Sequence, residues 1–164
     1  MWEVVEPQFS RLPAQGKVAM NMINIGLSVH DGKVFCGPME MSVSAMARAL
    51  KVDRRIITNT VKTIESDPKL QSIFEALEPT CSLRRVAPVM GWTVVEIHLA
   101  DSNQPGLLGR IASELGRVGV SIRQAVGEDP QYSEGRLYII AESEIPAEAV
   151  ISIRKIPGVI KVIL

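Results

Sequence analysis

The sequence predicts an α+β protein in two parts: residues 1–90 mostly helical with a β-hairpin, and residues 91–164 ordered βαββαβ. Three observations carry this. In the first part, apolar residues recur at helical spacing, as in Ile57, Val61 and Ile64 at i, i+4 and i+7. Asp31-Gly32 stands between two short β-prone runs, which is the signature of a two-residue hairpin. In the second part, period-two alternation at Val95, Ile97 and Leu99 gives way to a helical pattern, two β-prone runs, a second helical pattern and a last β-prone run.

Taken in order, residues 1–13 hold Trp2, Val5 and Phe9 between prolines and predict a short strand or helical turn. Ala14 to Gly26 predicts an amphipathic helix with Val18, Met22 and Ile25 inward and Gly26 as its stop. Its methionines read as core filling. The hairpin Leu27–His30 and Lys33–Cys36 follows, closed by Gly37-Pro38. Ser42 caps a helix with Met46, Ala47 and Leu50 inward, and Asp53 caps the next. Leu70, Ile73, Phe74 and Leu77 mark a short helix after Asp67-Pro68, and residues 78–88 read as a linker.

The second part opens with a strand over Thr93 to Ala100. Pro105 suits a first helical position, because its missing N–H is not needed there. Leu107, Leu108, Ile111, Ala112, Leu115 and Val118 follow helical spacing, and Gly119 ends the helix in a left-handed turn. Strands over 120–126 and 136–141 flank a polar loop at 127–135. Pro146 opens a helix with Ala149, Val150, Ile153 and Ile156 inward, Pro157-Gly158 stops it, and residues 159–164 close as a strand.

Composition narrows the function. The chain of 164 residues has 18 Lys and Arg against 18 Asp and Glu, so no global field draws it to nucleic acid or membrane. Residues 1–90 hold 11 basic and 9 acidic side chains and residues 91–164 hold 7 and 9, a slight basic bias in the first part. No run approaches a membrane span, and the proline-broken acidic start is not a signal peptide. Cys36 and Cys81 are too few and too far apart for a zinc site or disulfide framework, so a cytoplasmic protein with reduced thiols and no metal or cofactor is expected. Aromatic residues make up 4%, which disfavours base stacking on single strands. His30 lies by a turn and His98 beside Glu96 on a strand. No nucleophile elbow, H-E-x-x-H or Walker pattern occurs, and no enzyme activity is expected.

Residues 42–62 pair two helices across the short turn Lys51-Val52. This resembles the helix-turn-helix segment of bacterial and archaeal transcription regulators. Ala47 fits the small residue where the helices touch, and Val52 and Ile57 fit buried positions. The departure is Lys51, where that family usually has glycine, so a lysine must adopt a left-handed conformation. On the second helix Arg55, Thr58, Asn59 and Lys62 share an outward face, with Arg54 in the first turn. Arg and Lys neutralise phosphates, and Asn and Arg read base edges in a major groove. The hairpin before it would serve as a wing.

In the second part, Asn103-Gln104-Pro105-Gly106-Leu107-Leu108, then Leu115 to Ile122, then Ile156-Pro157-Gly158-Val159 resemble the ACT domain, a small regulatory module that binds amino acids. The resemblance implies a ferredoxin-like βαββαβ fold, with an antiparallel sheet and both helices on one face. Carried over by position, it implies a ligand site of Asp101, Asn103, Gly106, Leu107 and Leu108, with Ser121 and Ile122 from the next strand, between two domains. Serine-binding members carry histidine at the position of Asp101 and asparagine at that of Ser121. An Asp here would instead receive the ligand's ammonium group. Independently of family, a helix N-terminus offers unpaired N–H groups to a carboxylate or phosphate.

The whole resembles predicted archaeal regulators of amino acid metabolism that contain an ACT domain. It implies a winged helix-turn-helix-like DNA-binding domain at 1–90 and an ACT-like amino-acid sensor at 91–164, in a homodimer or higher homo-oligomer. The rival expectation is an allosteric regulatory subunit that uses the same helical face to bind a metabolic enzyme.

Overall fold

A computed structural model describes residues 2–101, 103–128 and 135–164. The chain divides into two compact units, Met1–Cys81 and Ser82–Leu164, so the division falls within the expected linker at 78–88 and upstream of the expected boundary between residues 90 and 91. The architecture is mixed, with seven α-helices and two antiparallel sheets among the described residues. Among the described residues, no helix is long and apolar enough to cross a membrane.

The first unit starts with helix α1 (Trp2–Phe9), which settles the strand-or-turn expectation, because Trp2, Val5 and Phe9 repeat at helical spacing. Pro7 near its end removes one backbone bond, and the helix stops two residues later. Helix α2 (Pro13–Ile25) has Pro13 in its first turn and ends on Gly26 at φ 78°. There the Leu27 N–H donates to the Met22 carbonyl at 2.8 Å, closing a left-handed cap. Val18, Ala19 and Met22 are fully buried, but Ile25 is 52% exposed, against expectation. It is on the expected stripe, but the last turn runs onto an open apolar groove edged by Met41, Ala49 and Leu50.

Strands β1 (Ser28–His30) and β2 (Lys33–Cys36) pair with His30 opposite Lys33. Asp31 and Gly32 have φ of 50° and 73°, as a type I′ turn requires. The chain does not leave the sheet at Gly37-Pro38. It turns back into a two-residue strand β3 (Met39–Glu40), too short to read from any alternation. Helices α3 (Val43–Leu50), α4 (Arg54–Ser66) and α5 (Pro68–Glu75) follow. Ile57 and Ile64 are fully buried and Val61 nearly so, and α4 touches α2, α3, α5 and β1.

In the second unit, a 3-10 turn (Ala87–Met90) leads to β4 (Thr93–Leu99), α6 (Leu107–Arg117), β5 (Ile122–Glu128), β6 (Gly135–Ala141), α7 (Ala147–Arg154) and β7 (Val159–Ile163). The four strands run in the order β5-β6-β4-β7 with every pair antiparallel. Leu107, Ile111 and Leu115 of α6 and Ala149, Val150 and Ile153 of α7 share one core with Val95, Ile97 and Leu99, so both helices lie on one face. On the other face Leu83, Ala87 and Trp92 pack against Tyr138, Ile140 and Val94. The end of the expected linker is therefore a cover for the sheet. The polar loop expected at 127–135 lies, over 129–134, outside the described residues, and its first two residues continue β5.

Three other details differ from expectation. Helix α6 begins at Leu107 with Gly106 as its cap, so Pro105 sits in the preceding turn. Leu108 is 50% exposed, because the core stripe of α6 runs through Leu107, Ile111 and Leu115. Ile156 is half-buried and follows the end of α7 at Arg154. Gly119, at φ 75°, does end α6: the Val120 N–H reaches the Leu115 carbonyl at 3.0 Å.

A Cβ at Gly26 would overlap the Glu78 carbonyl oxygen and lie 2.8 Å from the Pro79 Cα, both backbone. With the positive φ this leaves no room to relax. Gly26→Ala is expected to cost about 2–4 kcal/mol, read as a lower urea midpoint, whereas Gly32→Ala, with open space around it, is expected to cost about 1 kcal/mol.

Candidate functional site

Two surfaces bear on function, one in each unit. The first is built by α3 and α4. Ser42 Oγ accepts the Ala45 N–H at 3.4 Å and starts α3. Lys51 closes it at φ 55°, ψ 48°, the left-handed conformation expected from the sequence. The Val52 N–H then donates to the Ala47 carbonyl at 3.0 Å, which turns the chain sharply. Asp53 Oδ1 accepts the Arg55 N–H at 2.8 Å and starts α4. Met46, Ala47, Ile57 and Val61 bury the facing sides, with Leu50 and Val52 packed against that core.

Burying that stripe fixes which side of α4 faces water. Arg54, Arg55, Thr58, Asn59 and Lys62 are all exposed. The structure brings these five together on the open face of one helix, as expected. None of the three cations has an ion-pair partner among the described residues. Thr58 is partly spoken for, since its hydroxyl donates to the Arg54 carbonyl at 3.3 Å. The hairpin is clasped to the other end of α4, where Glu65 Oε1 accepts the Gly32 N–H. Lys33, the hairpin's one cation, is held by Glu40 at 2.8 Å. That hydrogen bond raises the Lys33 pKa above its ordinary value.

The second surface is the loop between β4 and α6. Asp101 Oδ1 accepts the Asn103 N–H at 2.8 Å, a local turn that leaves both side chains exposed. The Leu107 N–H donates to the Gln104 carbonyl at 3.3 Å, so it is not free for a ligand. The Leu107 side chain is buried in the core, while Leu108 faces outward. Gly106 sits at φ 76° with no atom within 4 Å of where a Cβ would lie. The glycine is thus demanded by its backbone angle and not by a close approach within the unit.

Two residues in this loop escaped sequence reasoning as contacts. Gln104 is half-buried, and a Cβ on Gly158 would overlap its Oε1 and meet the Leu107 Cδ2 at 3.6 Å. Ala100 donates its N–H to the Gly158 carbonyl at 2.9 Å. The Gln104-Pro105-Gly106 and Pro157-Gly158 segments are therefore one packed corner. Beside it, Arg110, Ser113 and Lys155 line an open groove of about 580 Å³ between α6 and α7 that includes Gly106.

Ser121 and Ile122 lie elsewhere. Ile122 pairs with Ala141, which in turn pairs with Thr93, at the start of β4, whereas the loop follows its end. Six residues of strand, roughly 20 Å, separate the two halves of the expected ligand set within one chain. Ser121 is exposed and Ile122 half-buried. Among the described residues, no group of three or more His, Cys, Asp and Glu is placed to hold a metal. His98 Nε2 lies 2.9 Å from Glu96 Oε1 on the face away from the helices.

No model of a known protein family matches this chain. No curated protein matches it either.

The burial of adjacent leucines separates structural from surface roles. Leu107→Ala is expected to cost about 2–5 kcal/mol and Leu108→Ala less than about 0.5 kcal/mol, measured by denaturant titration. Equal losses in the two variants would overturn this placement of α6.

Proposed function

We propose that this protein is an amino-acid-responsive regulator of transcription. In this reading the exposed face of α4 binds duplex DNA and the βαββαβ unit senses a small metabolite, in the first place an amino acid. It acts in the cytoplasm as a homodimer or higher homo-oligomer, without catalysis. The observation that carries the DNA part is the set of three exposed cations without an ion-pair partner among the described residues, with Asn59, on the outward side of a helix reached by a tight turn. Such a face neutralises phosphates and reaches base edges.

The ligand part rests on the loop from Asp101 to Gly106 at the start of α6, and on strand order. Among the described residues β5 pairs only with β6, which leaves its other side as an open edge. Two copies joined edge to edge across a two-fold axis would run their β5 strands antiparallel. Each copy's Ser121 and Ile122 would then come to the end of the sheet where the other copy's loop lies. The two halves of the ligand set, far apart in one chain, would meet between two.

Three measurements check this. Arg55→Ala with Lys62→Ala is expected to leave the melting temperature nearly unchanged. It should weaken binding to a genomic duplex library about tenfold or more, with a smaller salt dependence. Unchanged binding would remove α4 from the DNA reading, and binding of an enzyme in place of DNA would favour a regulatory subunit. A thermal-shift screen of the natural amino acids should find one that stabilises the parent, by about 2.7 kcal/mol at a hundredfold excess over its Kd. Asn103→Ala should weaken that ligand by about 1 kcal/mol, and no shift with any amino acid would count against sensing. Sedimentation should give a dimer at micromolar concentration, and a monomer with and without ligand would remove the shared site.

A further inference from the structure

Among the described residues, two that are not glycine have positive φ: Asp31 and Lys51. Asp31 is in a hairpin turn that favours aspartate. Lys51 has no such excuse. A helix C-cap of this shape is where glycine is preferred, because a Cβ crowds the backbone and a lysine side chain makes no local bond to offset it. The backbone bonds of the cap, from Lys51 N–H and Val52 N–H, need no side chain at 51. A lysine at a helix end gains from the helix dipole, but that role is already filled. Arg48 is in the last turn of α3, and Lys17 Nζ donates to the Leu50 carbonyl at 3.0 Å.

The charge of Lys51 therefore has no structural use at its own position. It is exposed and has no ion pair among the described residues, like Arg48, Arg54 and Arg55. Residues 42–63 hold five cations and a single acid, Asp53, and one oxygen of that acid is bound to the Arg55 N–H. Exposed cations thus follow one another along the chain from α3 (Arg48) through the turn (Lys51) to α4 (Arg54, Arg55 and Lys62).

We propose that Lys51 is a phosphate-contacting residue, extending the α4 face to the DNA backbone on the α3 side, and that its backbone strain is kept for this contact. The inference rests on the DNA reading above. It makes an unusual demand: glycine at 51 improves the fold and harms binding.

The test uses the full chain and a mixed-sequence duplex of about 30 base pairs, with anisotropy titrations between about 50 and 200 mM salt. Lys51→Gly should melt above the parent yet bind roughly three- to tenfold more weakly, with a salt slope smaller by about 0.9. Lys51→Gln, which keeps the strain and loses the charge, should bind as weakly without the gain in melting temperature. Lys51→Arg should bind like the parent. If the parent binds and both uncharged variants match it in affinity and slope, the Lys51 contact is overturned while the DNA reading stands. If Lys51→Gly melts below the parent, and binding falls only with the folded fraction, Lys51 is a structural cap and the proposal fails. If the parent does not bind the duplex at the lowest salt, both readings fall together.

Discussion

The first unit depends on one stripe of α4. Ile57, Val61 and Ile64 are buried and α4 touches α2, α3, α5 and β1, so four elements of that unit are placed by contact with this helix, while α1 packs on α2 and β2 and β3 follow from β1. Three such side chains contribute on the order of 5–9 kcal/mol of burial, comparable with the whole net stability of a small domain. A helix so anchored cannot rotate about its axis without emptying the core. The orientation of Arg54, Arg55, Asn59 and Lys62 is thus a consequence of packing on the opposite side, and the proposed reading face is rigid because the core is.

The second unit has a comparable centre in β6. It lies between β5 and β4 and packs on both faces, with Leu137, Ile139 and Ala141 toward the helices and Tyr138 and Ile140 toward the segment over 83–92. A strand covered twice loses its alternation and reads as a continuous apolar run. Arg84 lies 4.3 Å from the Tyr138 ring centroid and 3.2 Å from Glu128 Oε1, and the Leu83 N–H donates to Gln124 Oε1 at 2.8 Å. These polar ties hold the cover at its margin, where its own apolar content is small.

Much of this was legible because local chemistry and global packing agree. The i, i+4, i+7 stripe of α4, the Asp31-Gly32 turn, the caps at Ser42 and Asp53 and the left-handed Lys51 all follow from a few neighbouring residues. The errors fall where a neighbour distant in sequence decides. Ile25 and Leu108 are apolar at plausible helical positions, but about half of each stays exposed. β3 exists only because β2 offers it a partner. The segment over 83–88 has linker composition, and only the outer face of the sheet makes it, with Trp92, a cover. The ligand set implied by the resemblance lies between two domains, and within one chain strand direction puts Ser121 and Ile122 at the end of the sheet away from the loop.

The clasp between Glu65 and Gly32 carries one more consequence. α4 has thirteen residues and is about 20 Å long. Two of its three cations, Arg54 and Arg55, are in its first turn, and the hairpin tip is fastened near the other end by a charge-assisted hydrogen bond. The helix is therefore a lever with a load at each end. In the proposed DNA reading, any tilt that follows the groove of a duplex would have to carry the hairpin with it or break that bond, so contact at the first turn of α4 would be felt as displacement at the sheet.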